Sequence, residues 1–396
     1  MCTADAGELW SASLCGPLIV VDGNTRQAWA TQHDNLNILS IASGGGWAGV
    51  LPEGVPVANT TVDWGGVQWI MVVGPLPEDT ITRRVLLAHE AWHRVQESLG
   101  LPMQGANAGH LETERGRYLM RLEMRALATA MLSNRRARRN AARDALAFRM
   151  ARLSSFPEAP AAEAGLDRNE GLASYTGVRL GAGDQARQFA ARTLNGYDQH
   201  QALARAYAYA TGPAYGLLLD EYAPNWRAQL AAWAPADLLV SPLRARALSE
   251  RDLQRRAGRY AGPQIAAEER ARAENQRRLI AELIVRYSGA RIELPLGQMQ
   301  FEFDPEQVIP VPNLGTVYRR LVLRDAWGQL RATEGALISP SFDRLIAAAP
   351  DPDGLAGPGW TLDLAPGYHI SAPDAEGVVR PEVALQQQPS GRQPRN

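Results

Sequence analysis

The sequence has no lysine: all 41 of its basic residues are arginine, and 42 acidic residues bring the net charge to −1. Without an overall positive field there is no electrostatic footprint for nucleic acid or for an anionic lipid surface, and neither is expected as a partner. The run Ser43-Gly44-Gly45-Gly46 lacks the Lys-Ser/Thr that completes a phosphate-binding loop, so it reads as a tight turn. Long apolar runs are missing too. The strongest candidate, residues 67–73, is stopped by Gly74 and Pro75, far short of the roughly 18 apolar residues that span a bilayer. The opening stretch lacks the basic start and apolar core of a secretory signal. Cysteine is confined to Cys2 and Cys15. A disulfide between them fits an oxidising compartment, and a cysteine directly after Met1 fits a trimmed lipoprotein start. Export to the periplasm or beyond is therefore expected ahead of a cytoplasmic location with two free thiols.

What is present is an ordinary globular composition, 45% hydrophobic and 21% charged, in 396 residues, enough for two or three packed lobes. Only six histidines occur, yet two of them fall in His89-Glu90-Ala91-Trp92-His93, inside an apolar, helix-compatible run. Four residues advance a helix by about 400°, which puts His89 and His93 one turn apart on one face. Such a pair can give two imidazole ligands to one Zn²⁺. Glu90 then lies beside the metal without binding it, where it can take a proton from an attacking water and later hand it to a leaving amine. The plainer alternative is a core-facing stripe with Val85, Leu86, Trp92 and Gln96, but such a stripe has no need of a glutamate between two histidines. Asp79, Thr80 and Thr82 offer caps at the start of this helix, and Gly100-Leu101-Pro102 closes it.

Before the helix, residues 17–21 and 27–31 read as a hairpin around Asp22-Gly23-Asn24. Residues 67–73 read as a strand that can edge a cleft and pair with an extended substrate. After it, residues 112–154 are helical. Leu119, Ala126, Leu127, Ala130 and Met131 make an apolar stripe that Glu123 interrupts, and a carboxylate there is costly unless paired with an arginine or linked to a metal. Glu123 is thus a candidate partner of a zinc histidine or a rival third ligand. Arg135, Arg136, Arg138, Arg139 and Arg143, with no aromatic interleaving, read as a solvated helix face.

Past Pro157 and Pro160 comes Asn169-Glu170-Gly171-Leu172-Ala173-Ser174-Tyr175. A catalytic zinc with two histidines needs a third protein ligand and keeps the fourth position open, and Glu170 can fill the third place from a following helix. Gly171 and Ala173 would let that helix approach the metal helix closely. Residues 217–222 and 226–233 read as two helices over the site, with His200 either a further donor or simply structural. Residues 244–260 and 265–287 read as long amphipathic helices. From residue 290 the pattern turns to alternation, with His369 in a strand, and residues 386–396 read as a disordered tail. The fold class is α+β: a β-rich part with the metal helix over residues 1–110, a helical part over 111–289, and a β-rich accessory lobe over 290–385.

The His89-Glu90-Ala91-Trp92-His93 and Asn169-Glu170-Gly171-Leu172-Ala173 stretches together resemble the gluzincin zinc metallopeptidases, with motifs similar to those of the aminopeptidase N family. The resemblance implies a zincin-like catalytic lobe and makes Glu170 the third zinc ligand. Tyr209-Ala210-Thr211-Gly212 resembles the family's Tyr-Glu-Lys-Gly, which implies that Tyr209 stabilises the oxyanion, with Tyr207 and Tyr215 as fallbacks. Two departures stand out. Glu170 follows His93 by 77 residues, much more than the family spacing, whereas Glu112 follows it by 19 but in unmatched surroundings. The Gly-Ala-Met-Glu-Asn stretch that grips a free substrate amine is absent before His89, so endopeptidase action is as plausible as aminopeptidase action. As third ligand Glu170 ranks first, Glu123 second and Glu112 third.

The expected function is a zinc-dependent metallopeptidase acting on peptides or proteins, with His89, His93 and Glu170 as ligands and Glu90 and Tyr209 as catalytic groups. The alternative is a non-catalytic, zinc-stabilised protein that binds a peptide or a partner through the same cleft.

Overall fold

The computed structural model describes residues 5–103, 108–230, 234–304 and 307–383. The chain is α+β, with a helical middle and a β-rich C-terminal region. It divides into two compact units between Ala271 and Arg272, inside a long helix rather than at residue 290.

The first unit opens with a six-stranded sheet of β1 (Leu18–Asp22), β2 (Gln27–Ala30), β3 (Ser40–Ile41), β4 (Trp47–Val50), β5 (Thr60–Trp64) and β6 (Val67–Gly74), in the order β3-β4-β2-β1-β6-β5. The expected hairpin is β1–β2. Strand β6 is buried through Trp69, Ile70, Met71 and Val72, as its unbroken apolar run requires. It is not a cleft edge: β1 pairs with it in parallel and β5 antiparallel, so both of its hydrogen-bonding sides are taken. The outer strand on that side is β5.

Helix α1 (Thr80–Gln96) follows, with the Asp79 side chain accepting from the Thr82 backbone N–H at 2.7 Å. It ends through a 3₁₀ turn closed by Gly100 in the left-handed conformation at φ 73°. The next helices are α2 (Glu114–Leu132), α3 (Arg135–Ser155) and α4 (Ala159–Leu166), then a π-helical turn (Asp167–Gly171) that runs into α5 (Leu172–Gly181). After these come α6 (Ala186–Tyr197), α7 (Leu203–Tyr222), α8 (Glu250–Ala257) and α9 (Gly262–Ser288). The segment read as two helices over the site is different: residues 217–222 are the end of α7, Trp226–Gln229 is a short 3₁₀ turn, and residues 231–233 lie outside the described residues.

The apolar faces of α1 to α8 meet in one core. Residues before β1 join it. Trp10 packs on Trp92 of α1 at 4.3 Å between ring centroids, and its indole N–H donates to Thr176 Oγ1 at 2.9 Å. Cys15 is disulfide-bonded; Cys2 lies outside the described residues.

The second unit holds a six-stranded and a five-stranded sheet, built mainly of antiparallel neighbours. Its core includes Ile292, Leu294, Leu323, Trp327, Leu330 and Trp360. His369 is a strand residue paired with Glu382, and the expected tail lies outside the described residues. Among the described residues no helix is long and apolar enough to cross a membrane.

Candidate metal centre

Helix α1 presents His89 and His93 on one face, and the π turn before α5 presents Glu170 against them. His89 Nε2 and His93 Nε2 lie 3.3 Å apart. Glu170 Oε2 stands 3.3 Å from the first and 3.7 Å from the second. Among the described residues these are the His, Cys, Asp or Glu side chains that bring three possible ligand atoms within 4.8 Å of one another. Glu90 Oε1 lies 4.0 Å from His89 Nε2, beside the group rather than in it.

The remaining ring nitrogens are held as a metal site requires. His93 Nδ1 is 3.2 Å from Gln96 Oε1, which can only accept, so this nitrogen carries the proton and Nε2 keeps its lone pair. His89 Nδ1 lies 3.2 Å from Ser174 Oγ, which can accept in the same way. Asn169 Nδ2 donates to Glu170 Oε1 at 3.0 Å and leaves Oε2 to face the histidines. The outer partners are thus Gln96 and Ser174, not Glu123. Both were within reach of sequence reasoning: Gln96 sits one turn past His93, and Ser174 one turn past Glu170.

Packing sets the spacing of the two helices. A Cβ on Gly177 would stand 2.5 Å from the Val85 carbonyl oxygen and 3.4 Å from His89 Cβ, and one on Gly181 would stand 2.5 Å from the Val85 nitrogen. Any side chain at either place would force α5 away from α1. The small residues that matter here are Gly177 and Gly181, rather than Gly171 and Ala173. Gly171 instead abuts Gly212 of α7, where an added Cβ on Gly212 would be 2.3 Å from Gly171 Cα.

The carboxylates and imidazoles of the group shift one another. Burial pushes the Glu90 carboxyl up, with His89 and His93 partly offsetting it. Burial would also raise Glu170, but hydrogen bonds and charge from His89 and His93 outweigh it and hold this carboxyl well below the usual carboxylate range. At His93 burial works downward and is outweighed by Glu170, so the imidazole is shifted up. Glu90 Oε2 is buried without a hydrogen-bond partner, and Glu170 Oε2 has only the two imidazole nitrogens near it; a divalent ion between them would relieve that cost. Two imidazoles and a carboxylate, with a second carboxylate beside them, are a donor set suited to zinc.

Tyr209 of α7 completes the group. Its ring stacks on His89 at 5.5 Å between centroids and 11° between planes. Burial, followed by the charge of Glu170, drives its pKa far up, so it stays a neutral hydroxyl donor. The centre opens into a cavity of about 350 Å³ whose further walls include Val85, Leu86, Val178 and Phe189, with Asn59, Thr82 and Thr193 adding polar edges. Asn59 directly precedes β5.

The other candidates lie elsewhere. Glu123 is fully buried and bound by Arg152 at 2.6 Å and by the Tyr215 hydroxyl at 2.7 Å. Glu112 is exposed. Tyr207 donates to the Glu163 carbonyl at 3.0 Å. His200 stacks on Tyr197 and is not among the cavity walls. In the arginine run, Arg138 pairs with Glu221, and Arg139 and Arg143 donate to the carbonyls of Pro242 and Leu243, while Arg135 and Arg136 are exposed. No protein-family model, curated protein or solved structure matches the chain.

Proposed function

We propose that the protein is a zinc-dependent metallopeptidase with a zincin-like catalytic lobe. The observation that carries the reading is the convergence of His89, His93 and Glu170 on one point, with Glu90 beside it and Tyr209 against it, at the head of an open cavity. A zinc ion bound there would supply a Lewis acid and make water easier to deprotonate. Glu90, buried and with Oε1 4.0 Å from His89 Nε2, would take the proton of the attacking water and deliver it to the leaving amine. The Tyr209 hydroxyl would donate to the oxygen of the scissile carbonyl as it becomes an oxyanion. The free side of β5, which begins beside the cavity at Asn59, offers backbone groups to an extended peptide. The disulfide at Cys15 favours an exported protein.

The test combines metal analysis of the purified chain with digestion of a broad peptide library. Glu90→Gln should retain zinc and lose about 10²–10⁴-fold in turnover. Zinc without cleavage by the unaltered chain would favour the non-catalytic binding protein, and full turnover in Glu90→Gln would remove Glu90 as the base.

A further inference from the structure

The third ligand does not sit on a regular helix. Glu170 belongs to the π-helical turn Asp167–Gly171, wedged between α4 and α5. In an α-helix, residues three apart share a face. A turn closed by i→i+5 bonds takes in an extra residue, so side chains that would have lain together diverge. That is what Asp167 and Glu170 do: Glu170 faces His89 and His93, and Asp167 points into a buried ionic network that does not touch the metal centre.

The network is buried and closely paired. Asp167 is 4% exposed and Arg149 2%. Arg149 Nη2 donates to Asp167 Oδ2 at 2.7 Å, and its Nη1 lies 3.1 Å from Glu163 Oε2. Arg152 Nε donates to Glu163 Oε1 at 2.6 Å and its Nη1 pairs with Glu123 at the same distance. His110 Nε2 closes on Glu163 Oε1 at 2.7 Å. Asp167 is therefore tied, through α3, to a framework reaching into α2 and α4. Three carboxylates, Glu123, Glu163 and Asp167, face two guanidinium groups and the His110 imidazole, and within this network the ion pair of Asp167 is with Arg149.

The geometry points to Asp167 as a positioning residue: its ion pair with Arg149 holds the π turn open and thereby turns Glu170 onto the two histidines. The inference rests on the zinc reading of that triad. Without the anchor, the turn can relax to α-helical bonding, which rotates the ligand carboxylate by about 100° for the one residue gained or lost.

The test uses the full chain and measures Zn²⁺ affinity by chelator competition, together with the visible absorption of bound Co²⁺. Asp167→Leu leaves two carboxylates opposite two arginines, so the fold should hold and the metal-free melting temperature should stay close to that of the parent. Its Zn²⁺ affinity should fall by about 10- to 100-fold, the usual cost of losing a group that orients a ligand. Its Co²⁺ bands should move towards those of Glu170→Ala. Asp167→Asn keeps an oxygen for Arg149 and should recover most of the affinity. Parental affinity and an unchanged Co²⁺ spectrum in folded Asp167→Leu would overturn the inference. If that variant does not fold, the pair Arg149→Leu with Asp167→Asn removes the same contact and is judged by the same two readings. An unaltered chain that takes up no metal would instead bring down the zinc reading itself.

Discussion

Two clusters of buried acids and histidines lie in the helical part of this protein, and they solve the same problem in opposite ways. Around Glu123, Glu163 and Asp167, every carboxylate has an arginine within 2.7 Å, and His110 adds a hydrogen bond. Among the described residues Glu90 and Glu170 have no arginine paired to them, and their charge partners are the imidazoles of His89 and His93. The first cluster is answered by arginines of its own chain, while the second presents a donor set that a cation would fit. A buried glutamate alone therefore says little about metal binding, and its partners decide the matter.

The sharpest way to break the comparison is to remove one charge from each cluster. Arg152→Met leaves Glu123 with only the Tyr215 hydroxyl and a more distant Arg149 and weakens the hold on Glu163, and should cost about 3–5 kcal/mol in denaturant unfolding whether or not zinc is present. A loss under 1 kcal/mol would mean the closed cluster is not the rigid framework described. Glu170→Ala should behave differently. It costs the metal-free protein the contacts of Glu170 with His89 and His93, and on top of that the zinc-dependent gain should vanish. That gain should reach about 2.7 kcal/mol for the unaltered chain at a hundredfold excess over the dissociation constant. Equal zinc stabilisation in both proteins would place the ion elsewhere.

A smaller effect is expected from Gly181→Ala, whose methyl group would meet the Val85 backbone. The predicted cost is about 1–3 kcal/mol of overpacking, with a weaker zinc response because α5 must shift. An unchanged melting temperature and zinc response would show that the contact is slack. The smallest and most discriminating effect is one of sign. Burial pushes Asp167 up to about 6, despite the counter-pull of Arg149. Its contribution is full below an ordinary aspartate pKa and is lost as pH rises through about 6. At Glu163 burial acts upward, but Arg152 outweighs it and holds the group well below its usual range. Its contribution is present at neutral pH and is lost as pH falls below about 4.3. Relative to Asp167→Asn, the chelated parent should therefore lose stability between about pH 4 and 6, and a flat difference would show that Asp167 stays ionised throughout.

Much of the centre could be read from the chain because its signals are local. Helical periodicity alone puts His89 beside His93, Asp79 caps α1 as its side-chain chemistry suggests, and Gly100 ends it. Glu170 and Tyr209 were reached through motif resemblance, and the structure brings both to the histidines. The harder parts depend on distant partners. Glu123 looked like a metal companion because its stripe was apolar, but the arginines that answer it stand on α3, and no spacing within α2 reveals them. Strand β6 looked like an edge because the later partner of an apolar strand is invisible in its own residues. Trp10 shows no periodicity at all, yet it fills the core behind α1.

The glycines between α5 and α1 carry one more consequence. Because Gly177 and Gly181 let main chain lie against main chain, the gap between the histidines and the glutamate is gauged by peptide units that cannot swing aside. A histidine–zinc bond is about 2.0–2.1 Å, whereas Ca²⁺ prefers oxygens at about 2.3–2.6 Å. A larger ion would have to prise two backbones apart before it could be seated. Preference for small ions would then be written into how near two helices lie, and would outlast changes to any cavity wall that spared those two positions.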